Sequence, residues 1–236
     1  MKTTAIVLAA GSGKRMNSDV KKQYLKMNQK PVLFYSLQAF ENSFIDQIIL
    51  VTAAEEKEYC QTEIIDKYNF KKVHKIVTGG KQRYHSVMNA LMETEECDYI
   101  FIHDGARPFV TQDMLHRLYE MVSETKACVA AMPVKDTIKI ADEDGFIEST
   151  PNRSLVWNIQ TPQVFAFPLI KEAYLDLKDK KDKIIKDGIQ ITDDAMVVEY
   201  FTGHKIKLVE GSYYNIKITT PEDLDIAQKF VQEYNR

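Results

Sequence analysis

Short apolar runs alternate with longer amphipathic stretches along most of the chain. Five of these runs, at residues 5–9, 47–51, 73–77, 99–102 and 128–132, have the length and the β-branched or aromatic content of buried strands. Between them the apolar spacing turns helical, at 31–40, 82–92 and 113–123, and Pro31 suits a first helical turn. Parallel strands need crossover connections, so strands alternating with helices predict an α/β fold with a mainly parallel central sheet flanked by helices. In such sheets ligands bind beyond the carboxyl ends of the strands.

The alternation breaks after residue 134. Residues 136–140 and 154–157 read as strands around the turn-prone Asp142-Glu143-Asp144-Gly145, which predicts a β-arm at about 135–160 inserted into the α/β domain. The charged stretch at 176–187 predicts a solvated helix end or loop. A last helix is expected with Thr220 as N-cap, Pro221 in the first position, and Glu222 and Asp223 at the positive helix terminus. No internal repeat divides the 236 residues, a length that suits one domain over 1–236.

Composition narrows the partners. A formal net charge of -3 gives no general attraction to nucleic acid or to an acidic membrane surface, so any phosphate chemistry must be local. Cys60, Cys97 and Cys128 lack the spacing of a zinc or redox motif and read as reduced thiols. No run reaches the roughly twenty apolar residues that span a bilayer. The apolar start of the chain is shorter than a signal region, and the cytoplasm is the expected location.

Chemistry-bearing residues gather where strands end. Ala9-Ala10-Gly11-Ser12-Gly13-Lys14-Arg15-Met16 follows the first strand, with Lys22 shortly after. Small residues let backbone amides approach phosphate oxygens, and Arg15 and Lys22 can neutralise them; the alternative is an ordinary Gly-rich turn. The spacing fits neither a dinucleotide fingerprint, whose third glycine would fall at Met16, nor a Walker A loop, which needs Ser or Thr where Arg15 stands. Gly79-Gly80 and Ser86 can admit a flat base and bond its edge, or simply make a tight turn into a helix. Asp104, closing the 99–102 strand, can hold Mg²⁺ against phosphate oxygens, or pair with Arg107. Lys217 offers a further cation before the last helix. His85 and His103 have no matching nucleophile and read as structural or solvent-facing.

In this order, residues 9–16, 22–25, Gly79-Gly80, Arg83, Ser86-Val87, 103–108, 133–137, 160–163, 192–195 and 215–217 resemble the 2-C-methyl-D-erythritol 4-phosphate cytidylyltransferases over essentially the whole chain. The resemblance implies a Rossmann-like nucleotidyltransferase fold, a homodimer joined through the β-arm, and transfer of CMP from CTP to that polyol phosphate with Mg²⁺ and release of pyrophosphate. It places Ala9, Ala10, Gly11, Gly13, Gly80, Ser86, Asp104 and Arg107 around the nucleotide, and gives Arg15, Lys22 and Lys217 the triphosphate and catalysis. Asp104 becomes the metal ligand. Thr137, Arg153, Thr161 and Thr192 fall to the acceptor, with Arg153 and Thr137 coming from a partner's arm. The related ribitol-5-phosphate cytidylyltransferases carry Ala-Gly-Gly in place of Ala9-Ala10-Gly11 and Ala-Val in place of Gly105-Ala106. One departure from the family is Leu8, where proline is common. A reading of another class, an inactive nucleotide-binding regulator on the same fold, has no need of Arg15, Lys22, Asp104 and Lys217 together.

Overall fold

The computed structural model describes residues 1–11, 13, 16, 20–186 and 188–234. Along the chain lie β1 (Thr3–Leu8), β2 (Lys26–Met27), β3 (Lys30–Pro31), α1 (Val32–Glu41) and β4 (Gln47–Thr52). The short α2 (Lys57–Tyr59) continues as a wider π-helical turn to Asp66, followed by β5 (Val73–Thr78), α3 (Arg83–Glu93), β6 (Tyr99–Asp104), α4 (Gln112–Thr125) and β7 (Ala127–Pro133). The second part holds β8 (Ile140–Ala141), β9 (Ile147–Ser149), β10 (Trp157–Ala166), α5 (Phe167–Lys186), α6 (Asp194–Thr202), β11 (Lys207–Glu210) and α7 (Pro221–Tyr234).

Seven strands form one sheet in the order β11-β7-β10-β6-β1-β4-β5. Only β10 runs antiparallel to its neighbours, so the mainly parallel α/β sheet expected from the sequence is present. Side chains alternate between its two faces. Ala5 and Val7 of β1 join the apolar layer beneath α1 and α4, while Ile6 joins the opposite layer beneath α3, α5 and α6. Burial on both faces explains the nearly continuous apolar runs of the central strands. A smaller cluster, including Met27, Val32, Phe109, Ile218 and Val231, seats α7 against the β2–β3 ribbon.

Several boundaries differ from the sequence reading. Pro31 pairs in β3 and stands as the N-cap of α1 rather than in its first turn. The arm ends at 156 rather than 160, because Trp157 already pairs with Pro133 as the first residue of β10. Within the arm only β8 and β9 pair, and Arg153–Leu155 makes a 3-10 turn instead of a strand. The turn at 142–145 is present: Asp142 Oδ1 accepts from the backbone N–H of Asp144 and Phe146 at 3.1 and 2.8 Å, and Gly145 takes φ +86. The charged stretch is the end of α5, with Asp187 outside the described residues. At α7, Asp223 Oδ2 accepts from the N–H groups of Thr219 and Thr220, both at 2.9 Å, closing the helix start that the sequence placed there.

Candidate active site

The chain passes from β1 to β4 and β5, then returns on the other side of β1 as β6. This reversal opens a crevice at the carboxyl edge between β1 and β6. Pairing sets Leu8 opposite Asp104 there. Main-chain bonds fasten the loops just beyond: Ala9 N–H to the Val51 carbonyl at 2.7 Å, Gly105 N–H to that of Leu8 at 2.8 Å, and Gly79 N–H to that of Thr52 at 2.8 Å. The cleft so formed, about 370 Å³, is lined by residues 8–11, 22–23 and 80–83, with Ser86, Asp104, Ala106 and Lys217.

One wall is main chain by necessity. A Cβ at Gly79 would stand 2.4 Å from the Cβ of Ala10, and one at Gly80 would stand 2.3 Å from that of His85. Only glycine permits that approach. The Ser86 hydroxyl accepts from Gly80 N–H at 3.0 Å and closes the turn into α3. On the opposite side, buried Gln23 donates from Nε2 to the carbonyls of Ala9 and Gly11 at 2.6 and 3.2 Å, tying down the start of the Gly-rich loop. Neighbouring Lys22 donates to the Ile218 carbonyl at 3.0 Å, so the first loop and the segment before α7 meet across the cleft.

Asp104 is the electrostatic centre. Lys217 Nζ lies 2.7 Å from its Oδ2, Arg83 Nε 3.3 Å from its Oδ1, and Arg107 Nε 3.9 Å from Oδ2. Burial by itself would raise the carboxyl group, but Arg83 and Lys217, then Arg107, outweigh it and hold Asp104 well below the usual carboxylate range. These three cations, shared between Asp104 and the Asp194 carboxylate 2.7 Å from Arg83, still leave with Lys22 a local positive excess suited to a polyanion. Beneath the cleft, the Asp104 N–H donates to Thr161 Oγ1 at 3.1 Å. That hydroxyl lies 3.1 Å from His103 Nδ1, and His103 Nε2 lies 3.0 Å from the Arg107 carbonyl. A carbonyl accepts only, so Nε2 carries a proton, and when the ring is neutral Nδ1 accepts from the Thr161 hydroxyl. Burial of the ring pushes its pKa down to about 4, which keeps it neutral at neutral pH.

The sequence pattern of the 2-C-methyl-D-erythritol 4-phosphate cytidylyltransferase family matches residues 3–233. The enzyme of that name from Lachnospira eligens is 54% identical over 230 residues, covering 97% of this chain and 99% of the relative. The one from Lachnoclostridium phytofermentans is 48% identical over 233 residues, covering 99% and 97%. Among solved structures, 4-diphosphocytidyl-2C-methyl-D-erythritol synthase from Anaerococcus prevotii superposes with a TM-score of 0.82 at 34% identity, covering 98% of this chain and 96% of that one. The chain belongs to the 2-C-methyl-D-erythritol 4-phosphate cytidylyltransferase family.

Of the positions that the sequence reading singles out, Ala9, Ala10, Gly11, Lys22, Gly80, Ser86, Asp104 and Lys217 line the cleft together. Arg15 lies outside the described residues. Gly13, at φ +64, packs beside Lys22 and does not line the cleft. Arg107 turns behind Asp104 and donates from Nη1 to the Asn215 carbonyl at 2.7 Å. Thr161 is buried in the relay under Asp104. Thr192 is exposed just before α6, and Thr137 and Arg153 are exposed on the arm, where Arg153 Nη1 donates to the Lys135 carbonyl at 3.0 Å. The sequence reading gave no role to Gln23 or to Arg83. Gln23 carried no local signal, since glutamine is usually exposed and its partners, the carbonyls of Ala9 and Gly11, meet it only in the fold.

Proposed function

We propose that this chain transfers CMP from CTP to 2-C-methyl-D-erythritol 4-phosphate and releases pyrophosphate, acting as one domain over 1–236 in the cytoplasm. The observation that carries the proposal is the cationic cleft around Asp104, with Lys22, Arg83 and Lys217 lining it at the switch point of a cytidylyltransferase-family sheet. Among the described residues no helix is long and apolar enough to cross a membrane.

In this reading Ala9, Ala10, Gly80 and Ser86 receive the cytidine portion, where a main-chain wall suits a flat base. Lys22, Lys217 and Arg15 take the triphosphate, and Gly11 and Gly13 keep the loop small enough to follow it. Arg107 supports Asp104 from behind. One oxygen of the acceptor phosphate forms a bond to the α-phosphorus of CTP, the α–β bridging bond breaks, and its electron pair leaves with pyrophosphate. A phosphate monoester has a second pKa near about 6 and is largely dianionic at neutral pH, so the attack requires no side-chain nucleophile. Lys22 and Lys217 stabilise the charge that builds on the transferring phosphoryl group, and the loops hold the reacting groups in line.

The donor set fits Mg²⁺. This ion uses one or two protein carboxylates and completes its shell with water and phosphate oxygens. Asp104 supplies one carboxylate to the cleft, and among the described residues no group of three His, Cys, Asp or Glu could cage a metal unaided. Asp104 would therefore hold an ion that arrives with the triphosphate, and the ion, when bound, supplies neutralisation of the phosphate charge.

The acceptor side draws on Thr192 just before α6, on Thr161 acting from beneath Asp104, and on Thr137 and Arg153 from the arm of a second copy. Support for a second copy comes from the arm itself, which exposes Ile140, Phe146 and Ile147 on a short ribbon and Leu155 on the turn that follows. An isolated two-stranded ribbon with such a surface gains stability by packing against a partner. The test of the function is Mg²⁺-dependent pyrophosphate release from CTP with 2-C-methyl-D-erythritol 4-phosphate, with ribitol 5-phosphate and EDTA in parallel. Release with the first acceptor alone is the expected outcome; release with ribitol 5-phosphate alone would overturn the choice of acceptor, and CTP binding without release from either would point to a regulator.

A further inference from the structure

One buried carboxylate has no part in the chemistry above. Asp194, the first residue of α6, is wholly screened from solvent. Its Oδ2 accepts from Arg83 Nη2 at 2.7 Å and its Oδ1 from the Tyr174 hydroxyl at 2.6 Å. Its backbone is fixed as well: Gln163 Oε1 accepts from the N–H groups of Asp194 and Ala195 at 3.1 and 2.9 Å, and Gln163 Nε2 donates to Asp193 at 2.8 Å. A buried ionised carboxylate is tolerated only with a cation and further hydrogen bonds, and Asp194 has both.

Arg83 is thus one link in a chain that begins in the apolar layer of α5 and ends in the cleft, where its Nε faces Asp104 Oδ1 at 3.3 Å. The two contacts are unequal, and the shorter belongs to Asp194 rather than to Asp104. Guanidinium groups favour bidentate pairing with a carboxylate. Released from Asp194, Arg83 would be free to turn a second nitrogen onto Asp104 and compete there with Lys217.

We propose that Asp194 is a positioning residue for the nucleotide cleft: anchored by Tyr174, it holds Arg83 in a shared orientation and limits its hold on Asp104 to the single Nε contact. The inference rests on the nucleotidyl-transfer reading, and it adds to that reading a residue that touches no substrate.

The test is Asp194→Asn in the full chain, with Tyr174→Phe beside it. The arginine Nε–H signal of Arg83, assigned through Arg83→Lys, is recorded by NMR without substrate, and steady-state constants are measured on the same samples. The expected result for Asp194→Asn is a displaced Arg83 signal and a KM for CTP raised about tenfold, with the KM for the acceptor unchanged within about twofold. Tyr174→Phe is expected to move both in the same direction by less. A folded Asp194→Asn protein whose Arg83 signal and KM for CTP match wild type overturns the proposal. Should that variant fail to fold, a wild-type Arg83 signal and KM in Tyr174→Phe overturn it equally. The NMR arm uses no substrate, so a wrongly assigned reaction would show as an inactive wild type while the Arg83 signal still responded to Asp194→Asn.

Discussion

Thr161→Val replaces a hydroxyl with a methyl group of nearly the same volume and removes the centre of the relay beneath Asp104. Two buried groups then lose their partner: the Asp104 N–H, which donates to Thr161 Oγ1 at 3.1 Å, and His103 Nδ1, at 3.1 Å from the same oxygen. Leaving a buried donor or acceptor unsatisfied costs about 1–3 kcal/mol each, so the pair is expected to cost roughly 2–6 kcal/mol. Taking about 3 kcal/mol, and about 2–4 °C per kcal/mol for a chain of this size, Tm should fall by roughly 6–12 °C. Thr161→Ser keeps the oxygen and loses one buried methyl, a cost near 1 kcal/mol. Urea unfolding of the three proteins at pH 7.5 measures the differences, with an unchanged m-value showing that the midpoints compare like with like. A Val variant within about 0.5 kcal/mol of wild type, or a Ser variant as unstable as Val, would refute the relay as described.

Acid should weaken the fold through His103. Its folded pKa of about 4 lies below the unfolded value of 6.5, so stability is fully present above 6.5 and falls as pH drops from 6.5 to about 4. The loss amounts to roughly 3 kcal/mol at the lower limit; urea midpoints between pH 7.5 and 4.5 should show it, and a flat profile would count against a neutral buried imidazole. Lys217→Ala should lower kcat by about 100-fold while the protein stays folded, read from pyrophosphate release; turnover near wild type would remove Lys217 from the mechanism. Phe146→Asp with Ile147→Asp should convert a dimer to monomers in light scattering and abolish turnover without changing the monomer's melting cooperativity, whereas an intact dimer would exclude the arm as its contact.

The central strands were legible because burial on both faces demands unbroken apolar runs, and Ala5, Ile6 and Val7 meet that demand whichever way they point. Strand β10 was hidden by the same rule, since Gln160, Thr161 and Gln163 look like loop residues until their partners are known. Those partners lie far along the chain: Ser212 and Asn215 for Gln160, His103 for Thr161, and the start of α6 for Gln163. Local patterning cannot report a polar group satisfied from 31 to 58 residues away. The cleft divides in the same manner. Its small residues and cations stand in short motifs that the sequence displays, whereas Arg83 depends on Asp194, 111 positions later, and no spacing rule joins them.

The glycine wall of the cleft bears on how the site can change over time. At Gly80 the surface offered to a ligand is backbone, and an added side chain collides with His85, as one at the neighbouring Gly79 would with Ala10. A competitive inhibitor that rests its weight on this wall would leave the protein few single substitutions by which to escape it, because the changes that would evict the drug also dismantle the turn that carries Ser86.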